Sequence, residues 1–274
     1  MTGPALQVRD LSVEIAGRDG VTPVLDGVGL ELRRGRMHGL VGETGSGKSM
    51  TARSVIGLLP PGGRVTAGSV QLGGRELLGL GADELRELRG AAIGMVFQNP
   101  RTALYPLITI ETQMANVLKA HLGLDRRGRA ARIRERLRLV GIDDVDRIAR
   151  SYPHELSGGL AQRAVIATAL LCDPEVLIAD EPTTGLDATI QRQILELIAF
   201  LQSELSLSVL IITHDLGIIA QYCDTVSVMH DGRVVEDGDM RRVLLSPQHD
   251  YTRRLIAASA LRGLREERPQ GAGR

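Results

Sequence analysis

The segment Gly42-Glu43-Thr44-Gly45-Ser46-Gly47-Lys48-Ser49 constrains this chain more than any other feature. It matches the P-loop pattern GxxxxGK[ST] in full, between a short apolar run, Met37 to Val41, and a helix-like segment, Lys48 to Leu59, that stops at Pro60-Pro61. Strand, glycine loop and helix follow in the order a phosphate site requires. Glycines are needed because backbone N–H groups must close around phosphate oxygens, a curvature that side chains obstruct. The helix N-terminus adds the positive end of its dipole. Lys48 is expected to reach the β- and γ-phosphates of ATP, and Ser49 to ligate Mg²⁺.

Parallel α/β sheets build ligand sites beyond the C-terminal ends of their strands, so a carboxylate is expected at that edge. Val176-Leu177-Ile178-Ala179-Asp180-Glu181 supplies it. Asp180 suits the Mg²⁺ shell, and Glu181 is placed to polarise the attacking water. The plainer alternative is a pair of solvated acids at a strand end. His214 follows the run Val209 to Thr213 at the same edge, where it can orient the water or serve as a structural histidine. His38, inside an apolar run, reads as a core histidine. Ser157, Gly158 and Gly159 directly precede another helix and offer a second cradle of N–H groups, although an ordinary Ser-Gly helix cap also accounts for them.

Alternation at Leu6, Val8, Leu11, Val13 and Ile15 predicts a strand from Ala5 to Ile15, followed by a turn-rich segment, Gly17 to Pro23, and a second strand, Val28 to Leu32. From about Asn99 to Gly159 the β-branched runs give way to Ala, Leu and Arg, which predicts an inserted helical subdomain. Ile133, Leu137 and Val140 fall there at helical spacing, with Arg126, Arg127, Arg129, Arg132, Arg134, Arg136 and Arg138 on the other faces. The chain has 33 basic and 33 acidic residues and only 2% aromatics, which favours a solvated face over a nucleic-acid patch. The α/β alternation then resumes: a helix Leu160 to Cys172, a strand Val176 to Asp180, a helix from about Asp187 to Leu205, and strands Val209 to Thr213 and Val226 to Met229.

The expected division is therefore an ATPase core from residues 1–98 and 160–250, a helical part from 99–159, and a C-terminal tail, 251–274, that frays from Arg262. Cys172 and Cys223 are too far apart for a metal cluster and read as plain buried thiols. The N-terminal MTGPALQVRD has no leader-like pattern, and no apolar run approaches the ~18 to 20 residues that cross a bilayer. Spanning helices, where needed, are expected from another chain.

Together, the P-loop, Gln98 in Met95-Val96-Phe97-Gln98, the stretch Leu156-Ser157-Gly158-Gly159-Leu160-Ala161-Gln162-Arg163, Asp180-Glu181, Leu186-Asp187 and His214 resemble the ATP-binding-cassette (ABC) ATPases from about Leu6 to Ala258. The resemblance implies an α/β, RecA-like P-loop NTPase core with an antiparallel β subdomain and an inserted helical subdomain. It implies that the LSGG signature closes on nucleotide held by the P-loop of a second subunit, which accounts for two cradles and one P-loop. Gln98 then contacts metal and water, Asp187 lies at the subunit contact, and His214 is the switch histidine. The implied partners are a second ATPase subunit, identical or not, two transmembrane permease subunits and, indirectly, an extracytoplasmic substrate-binding protein. Nucleic acid is not among them, and the implied location is peripheral, at the cytoplasmic face of the membrane.

Leu160 stands where the signature usually has Gln, and Gly185 where Ala is usual, which is expected to loosen that turn. No aromatic residue lies between Ile15 and Leu25, so adenine is expected to rest on aliphatic packing. Asn99-Pro100-Arg101-Thr102-Ala103-Leu104-Tyr105-Pro106-Leu107 and Ser246-Pro247-Gln248-His249-Asp250-Tyr251-Thr252 resemble the dipeptide, oligopeptide and nickel importer branch, with Tyr105 for a usual Asn and Asp250 for a usual Pro. A peptide and a nickel or metal-chelate complex both fit as solute. The rival class is a non-transport ABC ATPase of DNA repair or translation, whose usual coiled-coil insertion, zinc cysteines or second cassette are not found here.

Overall fold

The computed structural model describes residues 3–18 and 20–266. A long hairpin, β1 (Leu6–Gly17) and β2 (Gly20–Leu32), leads to β3 (Met37–Val41), α1 (Lys48–Val55), β4 (Gly63–Leu72), β5 (Arg75–Glu76), α2 (Ala82–Leu88) and β6 (Ile93–Val96). A helical stretch follows: α3 (Pro100–Ala103), α4 (Ile110–His121), α5 (Arg126–Leu139), α6 (Val145–Arg150), a 3-10 turn at Pro153–Glu155, and α7 (Gly158–Ala169). The chain then alternates through β7 (Val176–Asp180), α8 (Ala188–Leu205), β8 (Ser208–Thr213), α9 (Leu216–Tyr222), β9 (Thr225–His230), β10 (Arg233–Asp239), α10 (Met240–Leu245) and α11 (Asp250–Glu266).

One sheet is antiparallel and four-stranded, in the order β2-β1-β4-β5. The other is six-stranded, β10-β9-β3-β8-β7-β6, and only the β10–β9 pair is antiparallel. β3, β7 and β8 are buried along their whole length, so they read as continuous apolar runs. Their pleat divides the core. Leu210 and Ile212 pack with Val55 of α1 and with Leu6, Val8 and Leu32 of the antiparallel sheet, whereas Val209 and Ile211 pack with α7 and α8 on the opposite face.

Several elements differ from the sequence expectation. Gly17 to Pro23 is hairpin and strand: Gly17 pairs with Gly20, and Pro23 pairs with Glu14. β2 is an edge strand, where the missing proline N–H breaks no ladder. α1 ends at Val55, short of Leu59, because Gly57 takes φ +63° and closes the helix with two reversed bonds, Leu58 N–H to Arg53 O at 2.8 Å and Gly57 N–H to Ser54 O at 3.1 Å. β4, β5, β6 and β10 were not expected: β4 and β5 belong to the antiparallel sheet and β6 and β10 are the edges of the six-stranded one, and their apolar runs are short or interrupted. The end from Arg262, expected to fray, continues in α11 through Glu266, and its remainder lies outside the described residues.

The arginine-rich face of α5 is only partly solvated. Arg126, Arg127 and Arg138 are exposed, but Arg136 is buried and Arg132 partly buried. Both guanidinium groups pair with Asp173 on the turn into β7, and Arg132 Nε–H donates to Leu171 O at 3.0 Å. These contacts fasten the helical stretch to the parallel sheet. Of the two thiols, Cys223 is buried, with its pKa raised to about 12 by burial, and Cys172 is half-buried and also raised by burial.

His38 is a core histidine, as expected. Ser227 donates its hydroxyl to Asp237 Oδ1 at 2.6 Å, so its oxygen accepts the His38 Nε2–H at 2.9 Å. Nδ1 therefore accepts from Thr225 Oγ1–H at 2.8 Å. Burial lowers the His38 pKa from 6.5 to about 4, against the charge of Asp237. Between those values the unfolded chain carries a proton that the folded chain does not. The stabilisation is thus complete above pH 6.5, declines as pH falls toward 4, and changes no further below that. Denaturant midpoints across this window should fall less steeply in His38→Gln than in wild type, each relative to its own value at pH 7.

Candidate functional site

The site forms where β3, β6, β7 and β8 end. Val41 of β3 runs into the P-loop, whose backbone turns back at Gly45 (φ +88°) and Gly47 (φ +104°) before α1 starts at Lys48. Gly42 has no space for a side chain, since a Cβ there would lie 2.1 Å from Met229 O and 2.8 Å from Ser46 Oγ. Glu43, Thr44 and Gly45 are exposed, whereas Ser46 and Lys48 are buried. Lys48 Nζ donates to Gly42 O at 2.8 Å and Glu43 O at 2.7 Å, folding its ammonium over the loop. Burial lowers the Lys48 pKa, while the charges of Glu181, Asp180 and Glu43 oppose the shift. Leu25 and the Val24 carbonyl of β2 stand against Gly47, which gives the loop an aliphatic flank.

Ser49 Oγ–H donates to Asp180 Oδ1 at 2.9 Å, joining the start of α1 to the end of β7. This hydroxyl and carboxylate are the hard oxygen donors that Mg²⁺ selects. Asp180 is buried and its pKa is raised by that burial, with the Ser49 bond acting in the opposite direction. Glu181 is shifted the other way. Burial pushes its carboxyl up, but hydrogen bonds from Thr184 and His214 and the charge of Lys48 outweigh this and hold it below the usual range.

Two of the expected residues, Gln98 and His214, converge on that carboxylate. Gln98 Nε2–H donates to Glu181 Oε2 at 2.9 Å, and His214 Nδ1 lies 3.3 Å from Oε1. Thr184, absent from the sequence reading, donates its hydroxyl to Oε2 at 2.8 Å. Its position three residues beyond Glu181 in a Pro-Thr-Thr-Gly turn was the available signal. Glu181 itself has φ +46°, a strained backbone for a non-glycine residue, and its N–H is tied to Ile212 O at 2.9 Å.

The second cradle stands apart. Ser157 is the exposed N-cap of α7, its Oγ accepting from Leu160 N–H at 3.4 Å. No hydrogen bond among the described residues joins it to the P-loop. Gly158 and Gly159 face α8 and the turn before it: a Cβ would come within 3.0 Å of Leu186 and of Ile190 respectively. Asp187 caps α8, accepting the Ile190 N–H at 3.0 Å. Gly185, expected to loosen this turn, has φ +78°, a conformation that glycine adopts more readily than alanine.

The chain matches the family model described as ABC transporter over residues 25–184. It is 46% identical to a probable peptide ABC transporter ATP-binding protein of Sinorhizobium fredii, over 92% of this chain and 75% of that one. It is 43% identical to the dipeptide transport ATP-binding protein of Bacillus subtilis, over 92% and 76%. Among solved structures, a dimeric ATP-binding cassette in a post-hydrolysis state with ADP and Pi aligns over 86% of this chain and 99% of that chain, with a TM-score of 0.76 and 28% identity.

The contact at Gly42 predicts that Gly42→Ala displaces the P-loop. Overpacking against backbone of this kind should weaken ATP binding by about tenfold or more, with the far-UV circular dichroism of the wild type retained. Isothermal titration with ATP measures it.

Proposed function

The chain belongs to the ABC transporter family as an ATP-hydrolysing, ATP-binding subunit, and we propose that it powers a peptide importer through the site at the ends of β3, β6, β7 and β8. The observation that carries the mechanism is the convergence of Lys48, Ser49, Asp180, Glu181, Gln98 and His214 from separate segments onto one edge of the sheet.

In this reading the N–H groups from Gly45 to Ser49 and the Lys48 ammonium bind the β- and γ-phosphates of ATP. Ser49 and Asp180, with Gln98, hold Mg²⁺, which when bound neutralises charge on the phosphate oxygens. Glu181, held ionised by its donors, takes the proton from the attacking water. Gln98 and His214 orient that water while fixing the carboxylate. Aliphatic side chains on β2, among them the half-exposed Val21, receive the adenine.

The exposed cap at Ser157 suits a γ-phosphate presented by a second subunit, so two chains related by a two-fold axis bind two ATP molecules between them, with Asp187 at the contact. The helical part, residues 99–159, is set apart from the core formed by 1–98 and 160–250, with residues 251–274 as the C-terminal tail. Among the described residues no helix is long and apolar enough to cross a membrane. In this reading the chain works at the cytoplasmic face beneath two permease subunits, which receive solute from an extracytoplasmic binding protein. Tyr105 and Leu107, 58% and 72% exposed just after α3, suit contact with the permease. Peptide is the favoured solute because the similar proteins from Sinorhizobium and Bacillus carry peptide and dipeptide transport in their names.

Two measurements test this. Glu181→Gln should retain ATP binding and lower hydrolysis by roughly 10² to 10⁴, the usual worth of a positioned general base; turnover near wild type removes Glu181 from that role. Reconstituted with its permeases and binding protein, the complex should show ATPase stimulation by short peptides. Stimulation by nickel complexes alone would reassign the solute, and stimulation by neither would overturn the importer reading.

A further inference from the structure

The segment after α10 returns to the P-loop. Ser246-Pro247-Gln248-His249-Asp250-Tyr251-Thr252 turns the chain from α10 into α11, and Glu236 of β10 anchors that turn. Its Oε1 accepts the Gln248 N–H at 2.8 Å and its Oε2 the His249 N–H at 3.1 Å. His249 Nδ1 in turn accepts the Tyr251 N–H at 3.2 Å. The anchored turn delivers Tyr251 to the interior, where it is 2% exposed. Its ring stacks on His230 at the end of β9, with centroids 3.9 Å apart and 17° between the planes.

The Tyr251 hydroxyl accepts the Glu43 N–H at 2.9 Å. That N–H belongs to the same peptide unit as Gly42 O, which accepts from Lys48 Nζ at 2.8 Å. In a trans peptide the two groups point in opposite directions. One rigid plane of the P-loop is thus held from one side by the lysine that faces nucleotide and from the other by a residue of the C-terminal segment. Rotating the plane breaks both bonds together.

We propose that Tyr251 is a positioning residue for the P-loop: by fixing the Gly42–Glu43 peptide plane through its hydroxyl, it keeps the loop in the conformation that receives phosphate and sets ATP affinity from outside the site. The inference rests on the reading of the P-loop as the ATP site. A loop already held in its binding conformation loses little freedom when ligand arrives. Without the hydroxyl the plane turns more freely, and ATP must fix it on binding. The effect therefore falls on binding and KM, while kcat at saturation is spared because the bound phosphates hold the loop themselves.

Tyr251→Phe keeps the ring against His230 and removes only the acceptor. With purified chain, ATP binding by calorimetry should weaken about three- to tenfold, the range for losing one hydrogen bond, with KM rising in parallel and kcat and melting temperature little changed. Tyr251→Leu, which also loses the stack, should weaken binding further. Unchanged affinity in Tyr251→Phe overturns the proposal, as does a lower kcat and melting temperature at wild-type affinity, the signature of a purely structural role. Lys48→Ala separates the premise from the inference: wild-type ATP affinity in that variant would overturn the reading of the loop itself.

Discussion

The parallel hydrogen-bond register of β3, β8 and β7 governs where every reactive group in this chain ends up. Val41 stands opposite Thr213, and Asp180 opposite Ile212, so the P-loop, the Asp180-Glu181 pair and His214 all leave the sheet at one edge. The register is held by burial on both faces. A shift of one residue would exchange Leu210 and Ile212 with Val209 and Ile211 between two differently shaped halves of the core. Close packing at Gly42 and the Glu181 N–H bond to Ile212 O extend this constraint from the ladder into the loops.

At that edge two adjacent acids are driven in opposite directions. Asp180 is buried with one side-chain donor, and burial prevails, raising its pKa. Glu181 accepts from Gln98, and the hydrogen bonds from Thr184 and His214 with the charge of Lys48 outweigh its burial. The positive φ of Glu181 is the backbone expression of the same demand: neighbouring side chains of a strand point to opposite faces, and the left-handed residue re-aims the second acid toward the shared edge. A carboxylate that gathers donors from β6, the turn after β7 and the end of β8 also links their positions to one another. Movement of any of them alters the groups around the proposed base.

The helical stretch is tied to the core at two places of different character. Arg132 and Arg136 hold Asp173 where the chain enters β7, a charged fastening at the far end of the strand. Near the site, Gly158 and Gly159 lie close against Leu186 and Ile190, so that an added Cβ would stand only 3.0 Å from either side chain. The signature glycines therefore serve close packing with α8 as well as keeping the α7 N-terminus open. Tyr251 makes a third tie, from the C-terminal segment to the P-loop.

What could be read from the residues alone were features whose physics is local. The glycine loop, the continuous apolar runs of β3, β7 and β8, the cap at Ser157 and the helical spacing in α5 follow from backbone sterics, burial periodicity and capping over a few neighbours. They sufficed to place Lys48, Ser49, Asp180, Glu181 and His214 at one edge of a sheet, whereas Gln98 and the switch role of His214 followed only from the resemblance to the ABC ATPases. Features set by distant partners were not legible. Pro23 belongs to a strand only because β2 lies at an edge, the buried arginines of α5 depend on Asp173, and α1 ends early through a glycine whose left-handed φ no composition count reveals. Thr184, three residues from Glu181, was missed although its signal was local, and the role of Tyr251 was missed because its partner is distant. A hydroxyl gains its meaning from the acceptor or donor that tertiary packing brings within 3 Å, and for Tyr251 that partner, Glu43, lies 208 residues away along the chain.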